Sequence, residues 1–230
     1  MNNILPHITL EIGKSPQHGI IWLHGLGADG EDFVPIAQEM NLPVAVRYIF
    51  PHAPEQPVTI NGGAIMRAWY DIAATDPSTW LRTGTGIQQD EAGIRSAQAA
   101  IEKLITQEIR RGIAAENIYL AGFSQGGVIA LHTGLRHASR LGGVIALSAC
   151  LPLADTLPRA AGMAAGRTPI FMAHGRSDPV IPYARGKVSA EKLSELGYQL
   201  EWHEYGMAHS VCMEEVRDIE AWLICRMGGA

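Results

Sequence analysis

Ile118-Tyr119-Leu120-Ala121-Gly122-Phe123-Ser124-Gln125-Gly126-Gly127 is the stretch on which the fold of this chain turns. An apolar run leads into Gly-x-Ser-x-Gly, and a helix-compatible run, residues 128–136, leads out of it. Strand, Gly-x-Ser-x-Gly and helix in that order make a nucleophile elbow. The glycines let strand and helix approach across a turn too tight for side chains. The turn is strained and thrusts the Ser124 hydroxyl clear of the backbone. The helix N-terminus beneath it places positive partial charge where an oxyanion would form. The pentapeptide also fits a glycine-rich turn with an N-cap serine, in a chain with 25 glycines among 230 residues. The elbow reading therefore rests on what surrounds the motif.

Outward from the elbow, strand and helix patterns alternate, which argues for a mainly parallel sheet with helices on both faces. Residues 19–23 read as a buried strand, 33–40 as a helix and 44–50 as the next strand. Residues 88–111 read as a helix whose Ile94, Ala97, Ile101, Leu104 and Ile109 fall on one stripe. Strand 117–123 enters the elbow. Strands 143–148, 169–173 and 199–205 follow, the last two separated by a helix over 184–196 with Gly197 as its C-cap. A final helix over 211–226 turns Cys212, Val216, Ile219 and Leu223 toward the sheet, and residues 8–12 read as an added edge strand. Residues 51–86 show no periodicity. A loop of that length inside a compact domain is usually functional, and Trp69, Tyr70 and Trp80 within it mark it as a segment that lines a substrate pocket.

Size and composition exclude several classes. At 230 residues the chain reads as one domain, residues 1–230. Its 18 Lys and Arg against 23 Asp and Glu give a net charge of −5, and no basic run points to nucleic acid. No apolar stretch is long enough for stable insertion in a membrane. The first residues lack the basic start and apolar core of a signal peptide. Cys150, Cys212 and Cys225 are odd in number and match no metal spacing. Free thiols of that kind belong to a reducing compartment, so a cytoplasmic location is expected. Cys150 follows a predicted strand and falls near the expected site.

A serine at an elbow needs a histidine base, and the histidine needs an acid. In the α/β-hydrolase fold the chain order is Ser, acid, His, with the later members on turns after later strands. Asp155 sits in a proline-flanked segment and Asp218 inside the last helix. Asp178 ends the turn that follows strand 169–173, on the edge where the elbow opens, and is the acid this order selects. Asp-Pro also starts ordinary turns. Among the histidines, His132 and His137 lie on the helix after the elbow, His174 precedes the acid, and His203 lies within a strand. His209, in the turn after the last strand, fits both order and position. Two backbone N–H groups should form the oxyanion hole: that of Gln125, next to the nucleophile, and that of Leu26 in His24-Gly25-Leu26-Gly27, after strand 19–23. This mechanism requires no metal or cofactor.

With these residues assembled, the chain resembles the carboxylesterase and acyl-protein thioesterase family of small α/β-hydrolases, in its bacterial branch. The resemblance runs from Trp22 to Trp222. It is carried by Trp22-Leu23-His24-Gly25-Leu26-Gly27, Phe50-Pro51-His52-Ala53-Pro54, Met66-Arg67-Ala68-Trp69-Tyr70-Asp71, the elbow, Pro169 to Gly175 with Asp178-Pro179-Val180, and His209-Ser210-Val211. It implies the same triad of Ser124, Asp178 and His209, the same oxyanion donors, no large separate cap domain and a tendency to form homodimers. It also implies hydrolysis of short- to medium-chain carboxylic esters, with acyl-protein thioesters or lysophospholipids as the alternative. A small-molecule or lipid acyl ester is the expected partner, its chain held by Trp69, Trp80 and Leu151. Ala149-Cys150 before Leu151-Pro152 departs from the glycine and aromatic common in that family, which bears on the acyl pocket. Dienelactone hydrolases carry cysteine at the elbow, and Ser124 argues against them. A non-catalytic binding module on this scaffold usually lacks a triad member, whereas all three are present here.

Overall fold

The computed structural model describes residues 4–74, 87–157, 159 and 164–228. Seven strands form the central sheet in the order β1-β3-β2-β8-β9-β10-β11. They are β1 (His7–Ile12), β2 (His18–Leu23), β3 (Val46–Pro51), β8 (Ile118–Phe123), β9 (Gly143–Leu147), β10 (Ile170–Gly175) and β11 (Leu200–Tyr205). Only β1 runs antiparallel, pairing with β3 at the edge; every other pairing is parallel. Helices α1 (Val34–Glu39), α2 (Glu91–Arg110), α3 (Gln125–Gly134), α4 (Tyr183–Glu195) and α5 (Met213–Arg226) cover the sheet. This is the α/β-hydrolase arrangement expected from the elbow and the alternation around it.

Parallel strands covered on both faces are apolar at nearly every position, and side chains alternate between the faces. Ile21, Leu23, Leu120, Val144, Ala146 and Met172 point into one core with α2, α3 and α4 residues. Ile20, Trp22, Tyr119, Ile145, Leu147 and Phe171 point into a second core with α1 and α5 residues. The parallel register also brings the C-terminal ends of β2, β8, β9 and β10 to one edge, where the chain must turn.

Two expectations need correction. Ile109 is 40% exposed, off the buried stripe of α2. The i, i+7, i+14 row from Ile94 through Ile101 continues to Glu108, and 3.6 residues per turn carry Ile109 past it. Glu108 is buried there because Arg47 Nε stands 3.0 Å from its carboxylate and Arg111 also pairs with it. The segment 51–86 is likewise no plain loop in its described part. It forms a hairpin of β4 (Glu55–Val58) and β5 (Ala64–Arg67), then β6 (Ile72–Ala74), which pairs with β7 (Ile87–Gln89). Strands of three or four residues are too short for alternation to show in sequence. The Gly62-Gly63 turn, both φ positive, is what closes the hairpin.

Glu215, in the first turn of α5, is fully buried. Burial pushes its carboxyl up to about 8, against the pull of the Cys212 N–H. It is therefore protonated in the folded protein and ionised in the unfolded one across the neutral range. That difference destabilises the fold increasingly as pH rises from about 4.5 to about 8, and not further above it. Glu215→Gln removes the ionisation. The variant is expected to be more stable than wild type by on the order of a few kcal/mol at pH 8, with the gap closing near pH 5. Urea midpoints at the two pH values measure this; a gap independent of pH would contradict it.

Candidate active site

The elbow is built by exclusion of side chains. A Cβ on Gly126 would fall on the carbonyl oxygens of Leu23 and His24, and one on Gly122 would fall on the Gly126 backbone. Ser124 between them has φ 54° and ψ −120°, a conformation L residues rarely adopt. Such strain costs on the order of 1–3 kcal/mol and persists only where the surroundings enforce it. Here the Ser124 N–H donates to Leu147 O at 2.8 Å, and Val128 N–H returns to Ser124 O at 3.1 Å. The first residues of α3 then have N–H groups with no intrahelical acceptor, Gln125 among them.

Three turns at the sheet's C-terminal edge converge on Ser124. The Ser124 hydroxyl is 2.9 Å from His209 Nε2, and His209 Nδ1 is 2.7 Å from Asp178 Oδ2. A carboxylate at Nδ1 holds the ring proton there and leaves Nε2 to accept from the serine. Asp178 Oδ1 accepts the Val180 and Ile181 N–H groups at 2.8 and 2.9 Å, a local turn that aims Oδ2 at the histidine. Burial alone would raise the Asp178 carboxyl. The hydrogen bond and charge of His209, with the Ile181 and Val180 N–H groups, outweigh that and hold it below its ordinary range. The turn carrying His209 is locked to the acid turn where Ser177 N–H donates to Met207 O.

The remaining candidates do not reach Ser124. His174 is buried behind the acid, with Nε2 2.8 Å from Ile181 O and 3.5 Å from Asp178 Oδ2. His203 stacks on Phe171 with centroids 4.4 Å apart. His137 Nδ1 meets Glu102 at 2.7 Å. His132 is fully buried in α3, where desolvation and the cations of Arg136 and Arg95 push it down to about 3. Asp218 accepts from the Tyr205 hydroxyl at 2.7 Å, and Asp155 sits in a single 3-10 turn, Ala154–Thr156.

A cleft of about 320 Å³ opens at Ser124 and His209. Leu26, Gln125 and Leu151 line it, along with Tyr70, Ile72, Ile94, Val128 and Cys150. Trp69 does not line it. Its indole is 3% exposed in the core under α2 and α3, and its Nε1–H donates to His24 O at 2.9 Å. A Trp buries most surface when its N–H also finds a partner; its neighbour Tyr70 takes the wall position. Trp80 lies outside the described residues. Cys150 is a partly buried thiol that desolvation pushes up, so it walls the cleft without being a ready nucleophile.

At two residues already singled out in the sequence, the side chain has a supporting role that the sequence did not reveal. Gln125 Oε1 accepts the Trp69 N–H at 2.8 Å and its Nε2 donates to Tyr70 O at 2.7 Å, so one side chain fastens the cleft wall to the elbow. His24, buried in the loop after β2, donates from Nδ1 to Gly25 O at 2.7 Å and accepts the Ala53 N–H at Nε2 at 3.0 Å. Both ring nitrogens are thus engaged within the loop that carries Leu26, and burial lowers its basicity. The His-Gly-Leu-Gly and Ser-Gln-Gly strings were visible; which partners these side chains take depends on segments far away in sequence.

The profile of the phospholipase/carboxylesterase family matches residues 7–225. The chain belongs to this family. It is 41% identical over 217 residues to acyl-protein thioesterase 1 of Neurospora crassa, covering 90% of this chain and 86% of that one. It is 34% identical over 207 residues to a probable carboxylesterase of Oryza sativa subsp. japonica, covering 89% and 76%. The crystal structure of Arabidopsis thaliana SOBER1 superimposes with a TM-score of 0.80 at 32% identity, over 91% of this chain and 99% of that one. Family membership makes the protein a hydrolase. Relatives carry both thioesterase and carboxylesterase names, so membership alone leaves the leaving group open.

Proposed function

We propose that the protein hydrolyses acyl esters and acyl thioesters through an acyl-Ser124 intermediate, with Asp178 as acid, His209 as base and the Leu26 and Gln125 N–H groups as the oxyanion hole. The observation that supports it most is the hydrogen-bonded series Ser124, His209, Asp178 at the mouth of a cleft with an apolar wall. His209 Nε2 takes the hydroxyl proton as Ser124 attacks the acyl carbonyl. The tetrahedral oxyanion forms beside the free N–H groups at the start of α3. His209 returns its proton to the leaving alcohol or thiol, and a water it then activates releases the acid and regenerates Ser124. Ile72, Ile94, Val128 and Leu151 offer an apolar surface suited to a short- to medium-length chain.

Both leaving groups pass through one acyl-enzyme, and the thioesterase names among the relatives favour including thioesters as much as oxygen esters. The test is a series of matched oxygen esters and thioesters, two to sixteen carbons, with a fluorophosphonate in parallel. The expected result is a shared kcat for the two leaving groups at each chain length, where release of the acyl-enzyme limits both, and one phosphonyl group on the Ser124 peptide. Folded protein that neither turns over any of these substrates nor takes the phosphonyl group would return the binding-module reading to the front.

A further inference from the structure

The cleft has two chemically different arms, one on each face of the sheet. Ile94, Val128 and Leu151 belong to the core under α2, α3 and α4 and form the first arm with Ile72. The second arm is Ala28 and Asp32, on the loop from β2 that ends in Phe33 at the start of α1. Phe33 packs on the opposite face of the sheet, with its ring 5.1 Å from Trp22 and 6.1 Å from Phe123. Phe123 in turn lies 4.7 Å from the His209 ring. Ser124 and His209 therefore sit where the arms meet. An acyl chain is stabilised by the apolar arm, which directs the leaving group past Ala28 and Asp32.

Among the described residues, Asp32 is the one carboxylate that lines the cleft. Among the described residues, no hydrogen bond or ion pair involves its side chain; the neighbouring Asp29 carboxylate, by contrast, accepts the Glu31 N–H at 2.8 Å. Arg185, a cation that also lines the cleft, acts on Tyr70 and Cys150 at the other arm. We propose that Asp32 is a specificity-determining residue that favours esters and thioesters whose leaving group carries a positive charge. This rests on the acyl-hydrolase reading above and adds to it the class of leaving group.

The test compares three butyrates: butyrylcholine, its uncharged isostere 3,3-dimethylbutyl butyrate, and the anionic 2-sulfoethyl butyrate. The acyl chain is constant, and the inductive pull of the ammonium on the leaving oxygen is the same in every variant, so the change in the kcat/KM ratio between wild type and variant isolates the Asp32 charge. One carboxylate at a partly screened cleft mouth is expected to favour the cation over the isostere by about five- to tenfold, and to disfavour the anion by a similar factor. The ratio should fall by that five- to tenfold factor in Asp32→Asn, persist in Asp32→Glu and fall further in Asp32→Lys. In wild type alone it should shrink toward one at about 0.5 M salt, a readout that does not depend on any variant folding. A wild-type ratio at or below one, or a ratio that Asp32→Asn leaves unchanged, overturns the proposal. No hydrolysis of any of the three by the wild type would instead overturn the acyl-hydrolase reading on which it rests.

Discussion

Ser124→Ala is expected to lower kcat for p-nitrophenyl butyrate by about 10⁶, with the folded protein retained. Removing the nucleophile of a triad abolishes the covalent route, and what remains is the stabilisation supplied by the oxyanion hole and by binding, about 10³–10⁴ over water. The hydroxyl's hydrogen-bond partner is His209 Nε2. The backbone strain at φ 54° is imposed by the Leu147 and Val128 hydrogen bonds, which alanine keeps. The variant should therefore unfold within about 1 kcal/mol of wild type while losing fluorophosphonate labelling altogether. Turnover, labelling and thermal unfolding on one preparation check this. Wild-type turnover in the alanine variant would refute the assignment of Ser124.

Asp178→Asn is expected to cost about 10⁴ in kcat, the size seen when a triad acid becomes its amide. The local hydrogen bonds determine how the loss arises. Oδ1 accepts two backbone N–H groups, so the amide NH₂ cannot sit there without facing two donors. It must take the Oδ2 position, against His209 Nδ1. Nδ1 then has to accept, the ring proton moves to Nε2, and Nε2 cannot take the serine proton. The signature is a collapse of kcat with KM little changed. A loss below about tenfold would mean that Asp178 does not set the histidine tautomer.

The catalytic constellation was legible because each part of it is a local pattern. Gly122, Gly126 and Gly127 announce a turn without room for side chains, and that turn follows a strand in any fold that uses it. Asp178 and His209 fall after the last strands, and a parallel sheet brings all such turns to one edge. The apolar stripe of α2 was legible as far as Leu104 for the same reason, and failed at Ile109 because Glu108 found a partner in Arg47, on a strand more than fifty residues earlier. Sequence pattern assigns a face by polarity, but an ion pair formed across the fold can bury a carboxylate and leave an isoleucine outside.

The cleft was the least legible part. Trp69 and Tyr70 are adjacent and both aromatic, and nothing in their order says that the indole goes to His24 O while Tyr70 lines the cleft. The Gln125 side chain holds the backbone of both residues, and the indole is held in the core by His24 O. By itself, then, the sequence determined the strand–helix alternation, the elbow and the order of acid and base, since these depend on steric and periodic rules within a few residues. Only the tertiary structure decided which side chains wall the cleft and that its two arms lie on opposite faces of the sheet. Those outcomes depend on hydrogen bonds and packing between segments that meet only once the chain has folded.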